Sequence, residues 1–301
     1  MFAPTTFGRL LFGAMIAALL ARRGLRKKSL SPSGSRAAFA VAFLSWGASV
    51  RFGTTLLAFY WSSTKFTRWG EALKQSRDSG HKPGGQRDAG QVLACSAVGT
   101  VVALLFAAVQ GEHDAPVDYT AAYARSWLLC AYLGHYACCA ADTWASELGM
   151  LELGDPWLVT SWGRRVPAGT NGGVSVTGLL ASALGGGSMG LIFFGFDLLL
   201  LGLGPGGGGP EGHVWHLRTL LVLHLVSLGA AAGLFGSLLD SLLGATVQAT
   251  YYDTESKTIV QAPGPGVRCI CGRPLLTNHQ VNFVSVLATT VLAGFAGASF
   301  V

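Results

Sequence analysis

Long apolar stretches dominate the chain and predict membrane-spanning helices. Five of them are long enough to cross the hydrocarbon core of a bilayer, which takes roughly 20 consecutive apolar residues in a helix. They lie at residues 91–109, 121–141, 174–201, 217–248 and 280–300. The pattern therefore predicts an all-α fold, a polytopic helical bundle embedded in a membrane.

Two further apolar stretches are less regular. Residues 7–21 are short for a span, and residues 37–61 are long but carry Arg51 and several small residues near their middle. The second stretch fits either one span or a tight pair of half-spans. We therefore expect about six or seven transmembrane helices in total.

Composition supports a membrane protein and excludes other classes. Half of the 301 residues are hydrophobic and only 12% are charged, whereas about a quarter of a typical soluble protein is charged. The 42 glycines have no collagen period. These figures exclude an ordinary soluble enzyme, a fibrous protein and a disordered chain.

The few charged residues predict which loops face the cytosol. Loops 62–90, 149–172 and 249–279 carry Lys and Arg, whereas loop 110–120 has acids but no Lys or Arg, and the glycine-rich loop 202–216 also lacks them. Alternation of the five clear spans places the three basic loops on one side. The positive-inside rule makes that side cytosolic, or stromal in a plastid membrane.

The N-terminal segment permits two interpretations. Residues 22–36 form a basic block interleaved with serines, and no acid precedes Glu71. If this block also faces the cytosol, residues 37–61 must enter and leave the membrane on one side. An acid-free start rich in Arg and Ser is also typical of a transit peptide. We therefore divide the chain into an N-terminal hydrophobic segment with a basic linker, 1–36, and a membrane domain, 37–301.

Carboxylates at or within membrane helices are the first candidates for chemistry. Because burying them in a membrane is costly, such acids mark functional sites by default. Asp142 and Glu147 lie at the end of the second clear span, and Asp240 lies inside the fourth. On the topology above, these ends of both spans reach the cytosolic side.

Asp240 also lies on a stripe of small residues. Gly229, Gly233, Gly236 and Gly244 share one helical face with it. Glycines at this spacing favour close helix packing, but a carboxylate among them needs a cation, a proton or a donor opposite it.

A glycine-rich turn precedes the third clear span. Gly169-Thr170-Asn171-Gly172-Gly173 lead into that helix, and Arg164 and Arg165 lie just upstream. Such a turn can present backbone N–H groups to an anion, and arginines favour phosphate. Acids suited to Mg²⁺, an anion nest and basic loops at one membrane face together suggest handling of a phosphate or diphosphate attached to a lipid.

The chain resembles the transmembrane protein 19 family, which includes the plant phytyl-phosphate kinase and a plant membrane protein of the glucose response. Four blocks in order carry the resemblance: Ser62–Trp69 with Gly84–Arg87, Asp142–Gly149, Val166–Ser175, and Gly236–Thr246. A weaker fifth block is Gly272–Leu276, followed by Val281 and Asn282. Residues 1–36 fall outside it. The pattern at 142–149 is also similar to one in the phytol and dolichol kinases, which use CTP to phosphorylate polyprenyl alcohols.

This resemblance implies roles for particular residues. Asp142 would bind Mg²⁺ or position the nucleotide, Asp240 would be a second metal ligand or the base, and Glu147 is a third catalytic candidate. The implied phosphate- or nucleotide-binding residues are Gly84, Gly85, Gln86, Arg87, Ser146, Arg165, Gly169, Thr170, Asn171, Gly172 and Gly173.

The leading hypothesis is thus a kinase that uses CTP or another NTP on an isoprenoid alcohol or its monophosphate. Its partners would be that membrane lipid and the nucleotide, with no nucleic acid. The alternatives are a transporter of a small anion or sugar phosphate, and a scaffold in sugar-response signalling. We expect an endomembrane or plasma-membrane location, with a plastid membrane as the further option.

Overall fold

The computed structural model describes residues 6–81, 83–110, 116–200 and 211–300. Most residues of the loop 202–216, and Glu112 and Asp114 of the loop 110–120, lie outside that part. Ten α-helices occur in the described residues: α1 Thr6–Arg26, α2 Pro32–Ala48, α3 Val50–Arg68, α4 Glu71–Arg77, α5 Ala89–Ala94, α6 Ala97–Gln110, α7 Tyr123–Gly149, α8 Val176–Leu200, α9 Glu211–Val247 and α10 Asn278–Ala296.

Two of the basic loops fold into small antiparallel sheets, which corrects the purely α-helical expectation. The first sheet contains β1 Trp157–Leu158, β2 Ser161–Arg165 and β3 Gly173–Val174; the second contains β4 Thr250–Asp253, β5 Thr258–Val260 and β6 Val267–Cys271. β-Branched and aromatic residues in the second group suit strands. Open sheet edges do not occur against lipid, so both sheets belong outside the hydrocarbon.

Three helices of the described chain are long and apolar enough to cross a membrane. They are Val176–Leu199, Thr219–Val247 and Asn278–Ser299, and they match the predicted spans 174–201, 217–248 and 280–300. α7 begins at Tyr123, two residues after the start of the predicted span 121–141, and continues to Gly149. An integral membrane bundle is therefore supported, whereas the total of six or seven spans is not established.

The predicted span 91–109 is broken into α5 and α6 at Cys95 and Ser96. The break leaves the Cys95 carbonyl outside a regular helix, and neighbouring groups satisfy it. His135 Nε2 lies 3.0 Å from this oxygen, and the Cys139 thiol donates to it at 3.3 Å. Hydropathy gives no sign of the break because both flanking segments are apolar.

Residues 37–61 form a pair of helices that reverses at Ser49, not one span. The Ser49 backbone is extended, and its hydroxyl accepts a hydrogen bond from Arg51 N at 3.1 Å, which caps α3. α2 returns along α1, where Gly13 packs on Trp46, and α3 runs back until Tyr60 Oη meets Ser29 Oγ at 2.8 Å. The pair therefore begins and ends at the same side of the bundle.

All four basic segments meet at one end of the bundle. Arg68 Nη2 donates to Lys27 O at 2.6 Å, and Arg77 Nη1 donates to Met150 O at 2.8 Å. Ser79 N donates to Ile259 O at 3.0 Å. The predicted grouping of the basic loops is confirmed, and the N-terminal basic block joins them. We call this the basic end.

The opposite end is closed by a buried ion pair. Arg51 Nη1 lies 2.9 Å from Asp197 Oδ1, and both side chains are fully buried. The Arg51 guanidinium also lies 5.3 Å from the centre of the Phe193 ring. Asp197 is thus enclosed by protein.

α7 forms the centre of the bundle, and glycines bring α8 and α9 against each other. Leu129, Tyr132 and Tyr136 of α7 are fully buried. A Cβ atom at Gly186 of α8 would collide with the carbonyl oxygen of Gly229 on α9. The glycine stripe of α9 therefore does support close packing, as its spacing predicted.

Candidate active site

A cavity of about 360 Å³ opens at the basic end. This volume lies within the range of small-molecule sites. The cavity brings together most of the residues that the sequence singled out: Arg87, Asp142, Ser146, Glu147, Gly169, Thr170, Asn171, Gly172, Gly173 and Asp240. Residues as far apart in sequence as Arg87 and Asp240 thus converge on one site.

Two carboxylates from adjacent helices face this cavity. Asp142 lies near the end of α7 and Asp240 near the end of α9, and both are partly exposed. The helices approach closely because Gly233 of α9 packs on Ala141 of α7. Because both carboxylates line the same cavity, a cation bound between them would be stabilising.

α10 orients the Asp240 carboxylate. Ser285 Oγ donates to Asp240 Oδ2 at 3.0 Å. The Asn282 amide, oriented to satisfy its neighbours, donates to the same oxygen at 3.1 Å and to Asn278 O at 3.0 Å. Both bonds to Asp240 reach Oδ2, which leaves Oδ1 for a ligand; within the described residues no group donates a hydrogen bond to Asp142.

Sequence reasoning missed the α10 residues as members of the site. Asn278, Asn282 and Ser285 follow one face of a helix, and the first two line the cavity. The sequence pattern that could have identified them is a set of polar residues at helical spacing in the first half of an otherwise apolar span.

The oxygen-rich set of side chains suits Mg²⁺ better than a transition metal. No group of three or more His, Cys, Asp or Glu side chains able to hold a metal occurs in the described part of the chain. Mg²⁺ does not need one, because it is usually bound by one or two carboxylates together with substrate phosphates and water. Asp142 and Asp240, with hydroxyl and amide oxygens nearby, fit that pattern.

Arg87 supplies a positive charge at the cavity wall. Its backbone is held between Ser29 and Ser31, with Arg87 N donating to Ser29 O at 3.0 Å and Ser31 N donating to Arg87 O at 2.9 Å. Arg87 Nη1 donates to Thr64 Oγ1 at 3.2 Å. Its guanidinium keeps further N–H groups for a phosphate.

Gly84, Gly85 and Gln86 do not line the cavity. Gly84 and Gly85 have positive φ values of 70° and 61° in a tight turn, and Gly84 N donates to Glu71 Oε1 at 2.5 Å. Glycine adopts this backbone without strain. The turn connects α4 to Arg87, so these residues support the arginine from outside the cavity.

The glycine loop forms a cavity wall, and its backbone donors are partly used already. Gly172 has φ 79°, and a Cβ atom there would collide with Ala245 on α9. Thr170 N, Asn171 N and Gly173 N donate to Pro167 O, Thr250 Oγ1 and Thr170 O. Three of its five amides are therefore occupied, and the loop contributes shape more than a complete anion nest.

A backbone N–H group at the start of α8, beside this loop, already binds a carboxylate of the protein. Thr177 N donates to Glu152 Oε2 at 3.3 Å. Partial burial disfavours ionisation of Glu152, but hydrogen bonds from Ser175 and Thr177 outweigh it and hold the pKa of this carboxyl below its usual range.

Arg165 lies away from the other site residues. It lies on exposed β2, with its guanidinium 3.7 Å from the centre of the Trp157 ring, and Nη1 donates to Asp155 O. The structure therefore does not bring Arg165 to the cavity.

Glu147 lines the cavity and is joined to a buried lysine. Lys74 Nζ lies 2.6 Å from Glu147 Oε2 and also donates to Phe66 O at 2.7 Å. Lys74 is only 1% exposed. This pair fastens α4 to the end of α7.

The cavity also has an apolar limb that the sequence did not reveal. We use this term for the part lined by Leu20 and Ala21 of α1, Leu30 between α1 and α2, Ala38, Val41 and Ala42 of α2, and Leu56, Leu57, Phe59 and Tyr60 of α3. One continuous cavity therefore has carboxylates and an arginine at one side and hydrocarbon at the other.

Comparisons with known proteins agree with the membrane bundle. The model of a family described as integral membrane protein DUF92 matches residues 15–290. The chain is 39% identical to Protein PGR of Arabidopsis thaliana over 288 residues, 96% of each chain. It is 31% identical over 156 residues to the chloroplastic Protein VTE6 of the same plant, covering 52% of this chain and 44% of the relative.

A third relative is more distant in origin. An uncharacterized membrane protein of Methanocaldococcus jannaschii is 33% identical over 125 residues, 42% of each chain. No solved structure matches. These relatives confirm the resemblance inferred from the sequence blocks.

Proposed function

This chain belongs to the DUF92 family of integral membrane proteins, and we propose that it transfers a phosphoryl group from CTP or another NTP to an isoprenoid alcohol or isoprenoid monophosphate. One observation carries the proposal. Paired carboxylates, Arg87 and an apolar limb share a single cavity at the basic end. That combination matches an amphiphile whose reacting group is polar and whose remainder is hydrocarbon.

Asp142 and Asp240 would hold Mg²⁺ with the nucleotide phosphates. The ion, when bound, would neutralise charge on the transferring phosphoryl group. Phosphoryl transfer depends mainly on positioning and electrostatic stabilisation. Ser285 and Asn282 fix Asp240 through Oδ2, so Oδ1 is the oxygen assigned to the metal or to the proton of the acceptor hydroxyl.

Arg87 would bind the phosphate groups, and the glycine loop would close the wall beside them. Ser146 is exposed to the cavity. Its hydroxyl donates to Thr143 O at 3.1 Å and would turn from that carbonyl to donate to a phosphate oxygen. We assign Glu147 a supporting role, because Lys74 already neutralises it. Arg165 has no part in this scheme.

The test is a transfer assay with the purified full-length protein in lipid. Radiolabelled CTP or ATP is supplied with a panel of isoprenoid alcohols and monophosphates, and labelled lipid is quantified. Asp142→Asn and Asp240→Asn should each reduce turnover about a hundredfold or more, the scale of losing one electrostatic contact to a transition state. Folded variants with full turnover would refute the assignment.

A transporter receives less support from the geometry. The described lining residues of the cavity do not include Arg51 or Asp197, and that buried pair closes the opposite end.

We propose an endomembrane or plasma membrane as the site of action. Imaging of a C-terminally tagged chain tests this, and a plastid signal would favour phytyl phosphate as substrate.

A further inference from the structure

We infer that the apolar limb is a chain-measuring chamber, in which Ala42 and Trp46 of α2 set how much of an isoprenoid tail the protein accepts. This inference rests on the proposed function, since it concerns the tail of that substrate. It adds a specificity determinant within the N-terminal helices α1 to α3.

The chamber is continuous with the reacting end. Arg87 and Gln91 line the same cavity as the carboxylates and the apolar limb. Tyr60 of the limb lies close to Arg87, because Tyr60 Oη is 2.8 Å from Ser29 Oγ and Arg87 N donates to Ser29 O. A tail attached to a phosphate at Arg87 therefore passes directly between α2 and α3.

The chamber has a finite depth. Arg87 contacts Thr64 on α3, and Leu56 is the deepest α3 residue of the lining. Leu56 lies about 12 Å farther along the axis of α3, at a rise of about 1.5 Å per residue. Only the first part of a long tail fits within this depth.

Small residues keep the chamber open. Ala21, Ala38 and Ala42 contribute only methyl groups to its wall. Ala42 is 5% exposed and packs against Trp46. A larger side chain at position 42 would project into the space of the tail, one helical turn above the floor.

We assign the floor to Trp46, which lies outside the lining of the cavity but in one buried cluster with Ala42, against which Leu56 and Leu57 of the lining pack. It lies one turn beyond Ala42 on the same face of α2, in a buried cluster with Ala17. Its ring rests on Gly53, where a Cβ atom would collide with it, and packs edge-on against Phe12 with ring centres 5.3 Å apart. A second cavity lies beyond it, lined by Phe12, Trp46 and Val50. A smaller residue at 46 would extend the chamber towards that space.

The test compares geranyl, farnesyl, geranylgeranyl and phytyl substrates. The measured quantity is the ratio of kcat/KM for the longest accepted chain to that for the shortest. Ala42→Phe should lower this ratio about tenfold or more, since one or two misfitting methylenes have that effect on specificity. Trp46→Leu should raise it. Ala40→Phe, on the exposed face of the same helix, should match the wild type.

Retained turnover of the shortest substrate shows that a variant is folded and competent. Unchanged ratios in both Ala42→Phe and Trp46→Leu would overturn the inference, as would equal changes in Ala40→Phe.

A second measurement separates failure of the chamber from failure of the proposed chemistry. A farnesyl monophosphate bearing a diazirine at its tail is photocrosslinked to the full-length protein without nucleotide. Labelling of Ala38–Trp46 and Leu56–Tyr60, reduced in Ala42→Phe, supports the chamber even if no transfer is seen with any nucleotide. Labelling confined to other helices overturns it, whatever the transfer assay shows.

Discussion

At the scale of single residues, the site depends on how two like charges are held together. Asp142 and Asp240 were identifiable from sequence because a carboxylate inside an apolar span is conspicuous. Asn282 and Ser285 were not identifiable as site residues, because a single Asn or Ser in an apolar span has no special meaning by itself. Only the approach of α10 to α9 brings them to Asp240. The structure thus adds the groups that orient Asp240.

Removing these orienting groups should impair turnover and metal response together. Asn282→Leu and Ser285→Ala should each lower turnover about tenfold to a hundredfold, as is typical for groups that position a metal ligand. Because Asp240 is held less firmly, the Mg²⁺ concentration giving half-maximal turnover should rise. Val284→Ala, on the exposed face of α10, is the matched control. A fall in turnover with unchanged Mg²⁺ dependence would contradict an orienting role.

Lys74 and Glu147 should matter for stability more than for chemistry. Lys74→Met leaves the partly buried Glu147 carboxylate without its cation, which should lower the free energy of unfolding by up to about 3 kcal/mol, discounted for the exposed part of Glu147. Glu147→Gln should retain most of the turnover, and the double variant Lys74→Met/Glu147→Gln should recover part of the lost stability. Thermal unfolding in detergent measures the stability of these variants, and the transfer assay measures their turnover. Turnover abolished by Glu147→Gln, as by Asp142→Asn, would restore Glu147 as a catalytic residue.

At the scale of helices and strands, length and apolarity predicted α8, α9 and α10 well. The same criteria failed to predict the break between α5 and α6 at Cys95 and Ser96, because averaging hydropathy over a window cannot detect a two-residue break between apolar segments. His135 supplies the compensation across the bundle, with Nε2 3.0 Å from Cys95 O and Nδ1 3.3 Å from Thr290 Oγ1. His135 is therefore a buried imidazole that is hydrogen-bonded to neighbouring helices.

The contact between α8 and α9 should be sensitive to a single methyl group at one glycine and not at its neighbour. Gly186→Ala would force apart two backbones in contact, and overpacking of this kind costs about 1–3 kcal/mol. Gly187→Ala should be tolerated, because its nearest neighbour would be Val226 Cγ1 at 3.6 Å. The melting temperatures of Gly186→Ala and Gly187→Ala in detergent test this expectation. Equal losses in both variants would show that Gly186 has no special role in this contact.

At the scale of the whole molecule, charge alone predicted that the basic loops share one end. It could not predict the apolar limb, because that space exists only where α1, α2 and α3 pack together. The N-terminal helix therefore belongs to the wall of the cavity through Leu20 and Ala21. The family model matches from residue 15, so placing residues 1–36 outside the resemblance was wrong for most of this helix.

Accessibility of cysteines should report the orientation of the bundle. Cys269 at the basic end is exposed, whereas Cys130, Cys138, Cys139 and Cys271 are buried. A membrane-impermeant maleimide should label Cys269 only from the cytosolic side of sealed vesicles. In a Cys269→Ser background, Thr120→Cys at the opposite end should be labelled only from the other side. Labelling of both positions from one side would contradict the arrangement.

The most direct test of the kinase assignment uses sealed proteoliposomes with γ-labelled CTP outside and an isoprenoid alcohol in the bilayer. Label should appear in the lipid fraction as an isoprenyl phosphate, in amounts that depend on Asp142 and Asp240, and the lumen should stay free of label. Label that enters the lumen without reaching lipid, or lipid that stays unlabelled by CTP, ATP, GTP and UTP across the substrate panel, would contradict it.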